Sequence, residues 1–169
     1  MTRHDFIVKW SIFALALLPV WFAEAFVLSR IPLFGIKPML LPLAAVALAV
    51  AEGAFPGGAF GMAVGMLCDG VYATHGAMTL GLTVIGVLAG LAAQYLLRQN
   101  LLGAMLCSLG ALLAIDGCRI AWRLLAGVAE LEPMLRVAGG EILWSLVFVP
   151  PIYALFHWVH LRTQVATLF

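Results

Sequence analysis

The chain has 169 residues, 64% of them hydrophobic and only 10% charged, which excludes a water-soluble globular domain, where about 25% of residues are charged. A net charge of +1, with no basic run and no interleaving of basic and aromatic residues, excludes a nucleic-acid binder. The class that remains is an all-α polytopic membrane protein, with 1–169 as a single transmembrane domain.

A spanning helix needs about 20 apolar residues. Helix 1 is expected over 7–28, with Glu24 near its far end. Its apolar run exceeds a signal peptide's core and no small-x-small cleavage pattern follows, so it is expected to be retained. Arg30, Pro32, Gly35, Lys37 and Pro38 break the chain before helix 2, over 39–51. At about 1.5 Å per residue helix 2 barely spans the hydrocarbon, and it carries Pro42. Helix 3, over 56–72, opens on Pro56, which suits a first turn. The two read as a tight hairpin of short helices. Helix 4, over 77–97, contains Gly81, Gly86 and Gly90 and stops at Arg98. Helix 5, over 101–128, is apolar to Ile115 and then presents Asp116, Arg119 and Arg123 on one face; the turn through Glu130, Leu131, Glu132 and Pro133 ends it. Helix 6, over 137–157, has Glu141 near its start and a kink expected at Pro150-Pro151. Six segments put both termini on one side. Arg3, Lys9, Arg98 and Arg162 on that side, against Arg30, Lys37 and Arg136 opposite, favour cytoplasmic termini.

Gly57, Gly61 and Gly65 recur every fourth residue and form one ridge on helix 3, ending at Asp69. Each glycine costs about 1 kcal/mol relative to alanine in a helix, and close contact with a second backbone in lipid offsets that. Two readings stand: packing within the monomer, against helix 4 or 6, or docking of a partner's helix. Either way helix 3 is expected to be the element around which the others fit.

Six alternating segments also bring the ends of helices 1, 3 and 5 and the start of helix 6 to one membrane face. Glu24, Asp69, Arg119, Arg123 and Glu141 are expected to gather there, with Asp116 deeper and both arginines between Asp69, Asp116 and Glu141. The cluster reads either as an ion-pair network that fixes helix register or as a ligand or partner site. Glu52, on the other face, is expected to cap the start of helix 3. His75 reads as a solvated turn residue, and His157 and His160 as interfacial anchors beside Trp158 rather than metal ligands. Cys68, Cys107 and Cys118 read as single buried thiols. Ser11, Ser29, Ser108 and Ser145 have no nucleophile pattern around them, so no enzymatic chemistry, cofactor or metal is expected.

Several pieces recur in a definite order. They are Lys37-Pro38-Met39-Leu40-Leu41-Pro42, then Glu52-Gly53, then the glycine ladder into Cys68-Asp69. A Leu-Gly-rich helix closed by Arg98 follows, then Asp116, then Arg136-Val137-Ala138. Last come Gly140-Glu141-Ile142-Leu143-Trp144-Ser145-Leu146 and Pro150-Pro151-Ile152-Tyr153. Over about 37–162 the chain thereby resembles the rod-shape-determining MreD family. That resemblance implies a small integral protein of the bacterial cytoplasmic membrane. It would be a non-enzymatic scaffold of the complex that elongates the lateral cell wall during peptidoglycan synthesis. The partners implied are MreC first, bound within the membrane, then MreB, RodA and RodA's class B penicillin-binding partner. The resemblance supplies no catalytic motif. The family's fold is similar to that of the S components of energy-coupling-factor vitamin transporters, which are also six-helix bundles. That likeness implies the alternative function, a vitamin-binding subunit. Such a site would need aromatic stacking and donors in a roomy cavity, and Trp122 and Trp144 are the large aromatics near the charges.

Overall fold

The computed structural model describes residues 3–28, 30, 38–95, 100–127 and 131–165, and these are almost wholly helical. Pro32, Gly35 and Lys37 in the first connection, Arg98 after helix 4 and Glu130 after helix 5 lie outside the described residues. The helices are α1 (Arg3–Phe22), continued by a π-helical segment over Ala23–Leu28, α2 (Leu40–Glu52), α3 (Ala54–Tyr72), α4 (Ala77–Tyr95), α5 (Leu101–Leu125), α6 (Leu131–Leu146) and α7 (Val149–Val165). Four stretches, Ile7–Leu28, α3, α4 and α5, are long and apolar enough to cross a membrane, and α6 with α7 makes a fifth if that bent pair is one span. The chain is therefore an all-α, multi-pass membrane protein.

The expected helix 6 is two helices meeting at 44°. The bend falls just before Pro150 and Pro151, where missing N–H groups interrupt the ladder, and Phe148 N turns back to Ser145 O instead. Its start also moves: Leu131, Glu132 and Pro133, read as a turn, form the first turn of α6, where a proline lacks nothing the helix needs.

The centre of the bundle is α2, not α3. Every residue from Leu40 to Ala51 is buried, and α1, α3, α4, α5 and α7 all pack on it. The sequence Leu-Leu-Pro-Leu-Ala-Ala-Val-Ala-Leu-Ala-Val-Ala is apolar on all sides, and such a helix belongs inside a bundle. Its 13 residues cover only about 20 Å, short of the roughly 30 Å of hydrocarbon, so its two ends lie within the protein. Leu41, Leu43 and Leu48 fill the interior with Phe156 of α7, Leu82 of α4 and Leu112 of α5. Gly53, at φ 99°, reverses the chain into α3 in a conformation that a side chain would strain.

The glycine ridge lies inside the molecule. Gly57 faces Ala49 of α2 and the Gly86 carbonyl of α4, Gly61 faces the Leu82 carbonyl, and Gly65 faces the Thr79 backbone. A Cβ at Gly65 would sit 2.5 Å from Thr79 Cα, so only hydrogen fits there. Gly86 and Gly90 of α4 answer from the other side, Gly90 against Ala54. The opposite face of α3 turns outward with Phe55, Met62 and Met66.

Candidate functional site

Polar side chains collect at the two ends of α2. At its C-terminal end the Glu52 carboxylate takes Lys9 Nζ on one oxygen and His160 Nδ1 on the other, each at 2.5 Å. A carboxylate is unfavourable at the negative end of a helix dipole, and the two basic groups compensate it. This corrects the reading of Glu52 as a helix-start cap. The residue closes α2, Gly53 holds the cap position of α3, and among the described residues no side-chain hydrogen bond caps that helix. Reversal at Gly53 leaves Glu52 beside α1 and α7 rather than over the amides of α3. His160 is accordingly part of an internal contact rather than an interfacial anchor, while Trp158 is exposed beneath the Arg162 guanidinium. The contact also places the start of α1 and the latter half of α7 at one end of the bundle.

At the N-terminal end the first amides of α2 have no partners in their own helix. Glu24, held in the π-helical segment, accepts Leu40 N at 3.0 Å and Leu41 N at 2.7 Å, and the Tyr72 hydroxyl donates to its other oxygen. Ser145 Oγ accepts Met39 N at 3.0 Å. Glu24 thus acts as a buried cap supplied by another helix, where a negative charge is favoured. Lys9 lies in α1 and Glu24 in its π-helical continuation, so this first span runs antiparallel to α2 and grips both of its ends.

The expected cluster forms in part. Arg119 Nη1 lies 3.5 Å from Asp116 Oδ1 and 3.6 Å from Glu141 Oε1, so one guanidinium joins α5 to α6. Arg123, one turn further along α5, borders the same cavity and makes no ion pair among the described residues. Asp69 does not join. It accepts Met78 N at 3.1 Å and Thr79 N at 3.0 Å together with the Thr74 and Thr79 hydroxyls, so it caps α4 across the turn. Local donors within ten residues captured it before any distant arginine, as short polar side chains at helix ends commonly do.

The cavity has a volume of about 530 Å³. Asp116, Arg119, Arg123 and Glu141 supply its charges, Tyr72 and Thr74 close one side, and Pro133, Met134, Val137 and Ala138 of α6 with Ile120 form an apolar wall. Tyr72 joins it to the Glu24 cap, a link that the sequence reading did not identify. The signal for it was position, since Tyr72 ends α3 at the face where Glu24 was already placed. Trp122 and Trp144 do not border the cavity. Asp116 is 5% exposed and, among the described residues, its Oδ2 accepts no hydrogen bond; Trp144 Nε1 is likewise buried without a partner among them. Among the described residues no three His, Cys, Asp or Glu side chains are grouped to hold a metal ion. Comparison of the chain with family models, curated proteins and solved structures finds no match.

Proposed function

We propose that the protein is a non-enzymatic scaffold of the bacterial cell-elongation complex, resident in the cytoplasmic membrane with both termini in the cytoplasm, and that it works by binding MreC within the membrane. MreB, RodA and RodA's class B penicillin-binding partner are further members of the same assembly. The reading rests on the resemblance to the MreD family. The structural observation that supports it is the surface: turns such as Ala73–Gly76 are short, and the outer helices carry large exposed apolar side chains. A partner's spanning helix meets such a protein along its lipid-facing sides. The glycine ridge is filled by α4, so docking uses an outer face instead.

Photo-crosslinking residues at Leu15, Met66, Leu88, Leu106, Leu143 and Trp158, all more than half exposed, test this in cells producing MreC. Crosslinks are expected from one contiguous face and not from all six positions. If MreC neither crosslinks from any outer position nor co-purifies, the scaffold reading fails.

The second reading, an S component similar to those of energy-coupling-factor vitamin transporters, draws on the cavity at the end of the bundle away from Lys9 and His160. Among the described residues its lining holds a single aromatic ring, Tyr72, where stacking against a vitamin needs more. Thermal stabilisation by a member of a vitamin panel would favour it. No shift with any vitamin, together with capture of MreC, would remove it.

A further inference from the structure

The cavity between α5 and α6 has a graded charge pattern. Inside it, two carboxylates share one guanidinium nitrogen at 3.5 and 3.6 Å, the long limit of an ion pair. Asp116 is buried with one oxygen unserved, and Glu141 meets only Arg119 among the described residues. A buried carboxylate oxygen without a donor is costly, so the inner end is short of hydrogen-bond donors. The rim is the reverse. Arg123 is exposed, carries five N–H donors and forms no ion pair among the described residues. Arg123 lies seven positions after Asp116 on the helix, a rise of about 10 Å. Arg123 stands two residues from the end of α5, so the gradient runs from the helix end inward. Between these poles the α6 wall of Pro133, Met134, Val137 and Ala138 is apolar.

We propose that this cavity binds an aminoalkyl phosphate: a primary ammonium that donates to Asp116 and Glu141, joined by a short carbon chain to a phosphate that Arg123 and Arg119 receive. A primary ammonium offers three donors to oxygens that lack them, and a guanidinium fork matches phosphate. Neither a simple anion nor a simple cation satisfies both poles. The chemistry has two sources, a phosphatidylethanolamine headgroup entering from the bilayer and free phosphoethanolamine. The site does not depend on which partner, if any, occupies the outer faces.

The test uses the full chain in detergent, followed by native mass spectrometry for retained lipid and by thermal unfolding for the soluble compound. Phosphatidylethanolamine is expected to be retained about tenfold or more over phosphatidylcholine, whose quaternary ammonium has no N–H, and over phosphatidylglycerol, which has no cation. Retention of the lipid alone assigns the site to the bilayer; stabilisation by phosphoethanolamine alone assigns it to the soluble compound; both together report the shared headgroup. Asp116→Asn and Arg123→Gln should each reduce the preference about tenfold, and Glu132→Gln, on an exposed pair with Arg136, should not. Arg123 is exposed and unpaired among the described residues, so its variant keeps the fold and the test survives a failure of Asp116→Asn. Equal retention of the three lipids with no stabilisation by phosphoethanolamine overturns the proposal, as does an unchanged preference in Arg123→Gln.

Discussion

The α3–α4 and α5–α6 pairs are both made of consecutive helices, yet they are joined in opposite ways. In α3–α4 the backbones touch along Gly57, Gly61, Gly65, Gly86 and Gly90, and nothing larger than hydrogen fits between them. In α5–α6 the helices border a cavity of about 530 Å³, and among the described residues Arg119 pairs across it with Glu141. Glycine at every fourth residue brings two helices together without leaving space for a ligand. Charged and larger residues along α5 and α6 leave room between two helices and line it with polar groups. The first pair is structural, and the second is where chemistry with another molecule can occur.

Substitutions break the comparison in order of size. Gly61→Leu drives a side chain into the Leu82 carbonyl and should yield no monodisperse protein by size-exclusion chromatography, because a backbone carbonyl cannot rotate away. Glu24→Ala strands the Leu40 and Leu41 amides, both buried, and should destabilise by about 2–4 kcal/mol, measured as a lowered unfolding midpoint. Arg119→Ala removes the link between α5 and α6. Its side chain is 35% exposed and its distances are long, so the loss should be about 1–3 kcal/mol. Arg123→Gln should move stability by less than about 0.5 kcal/mol, since it makes no ion pair among the described residues. Val137→Trp sharpens the contrast: filling the α5–α6 space should leave the unfolding temperature unchanged and abolish lipid discrimination, whereas a tryptophan at Gly65 should unfold the protein.

Much of this was legible in the residues. Proline and glycine marked the breaks at Gly53 and before Pro150, and the i, i+3 spacing of Asp116 and Arg119 with alternation of the helices brought Glu141 to them. The ridge's partner was legible only as a choice, because small residues at a four-residue spacing fit any close neighbour. What stayed hidden depended on distance along the chain. Glu52 meets Lys9 and His160, 43 and 108 residues away, and no local pattern announces either pairing. Asp69 failed in the other direction: its partners Thr74, Met78 and Thr79 were so near that they outcompeted the long-range pairing assigned to it. The centrality of α2 was readable from its lack of a polar face, but the glycines of α3 drew the weight instead.

The grip of α1 and its π-helical continuation on both ends of α2 bears on biosynthesis. Translation delivers Lys9 and Glu24 before Leu40 exists, so a nascent chain that has reached Glu52 already carries an acceptor for the first amides of the short helix and a counter-ion for its last residue. The partners of the thirteen-residue segment at both ends thus precede it in the order of synthesis, and His160 can complete the enclosure only when the final helix has been made. Removing the first helix from the gene would therefore take away the template on which the second is seated.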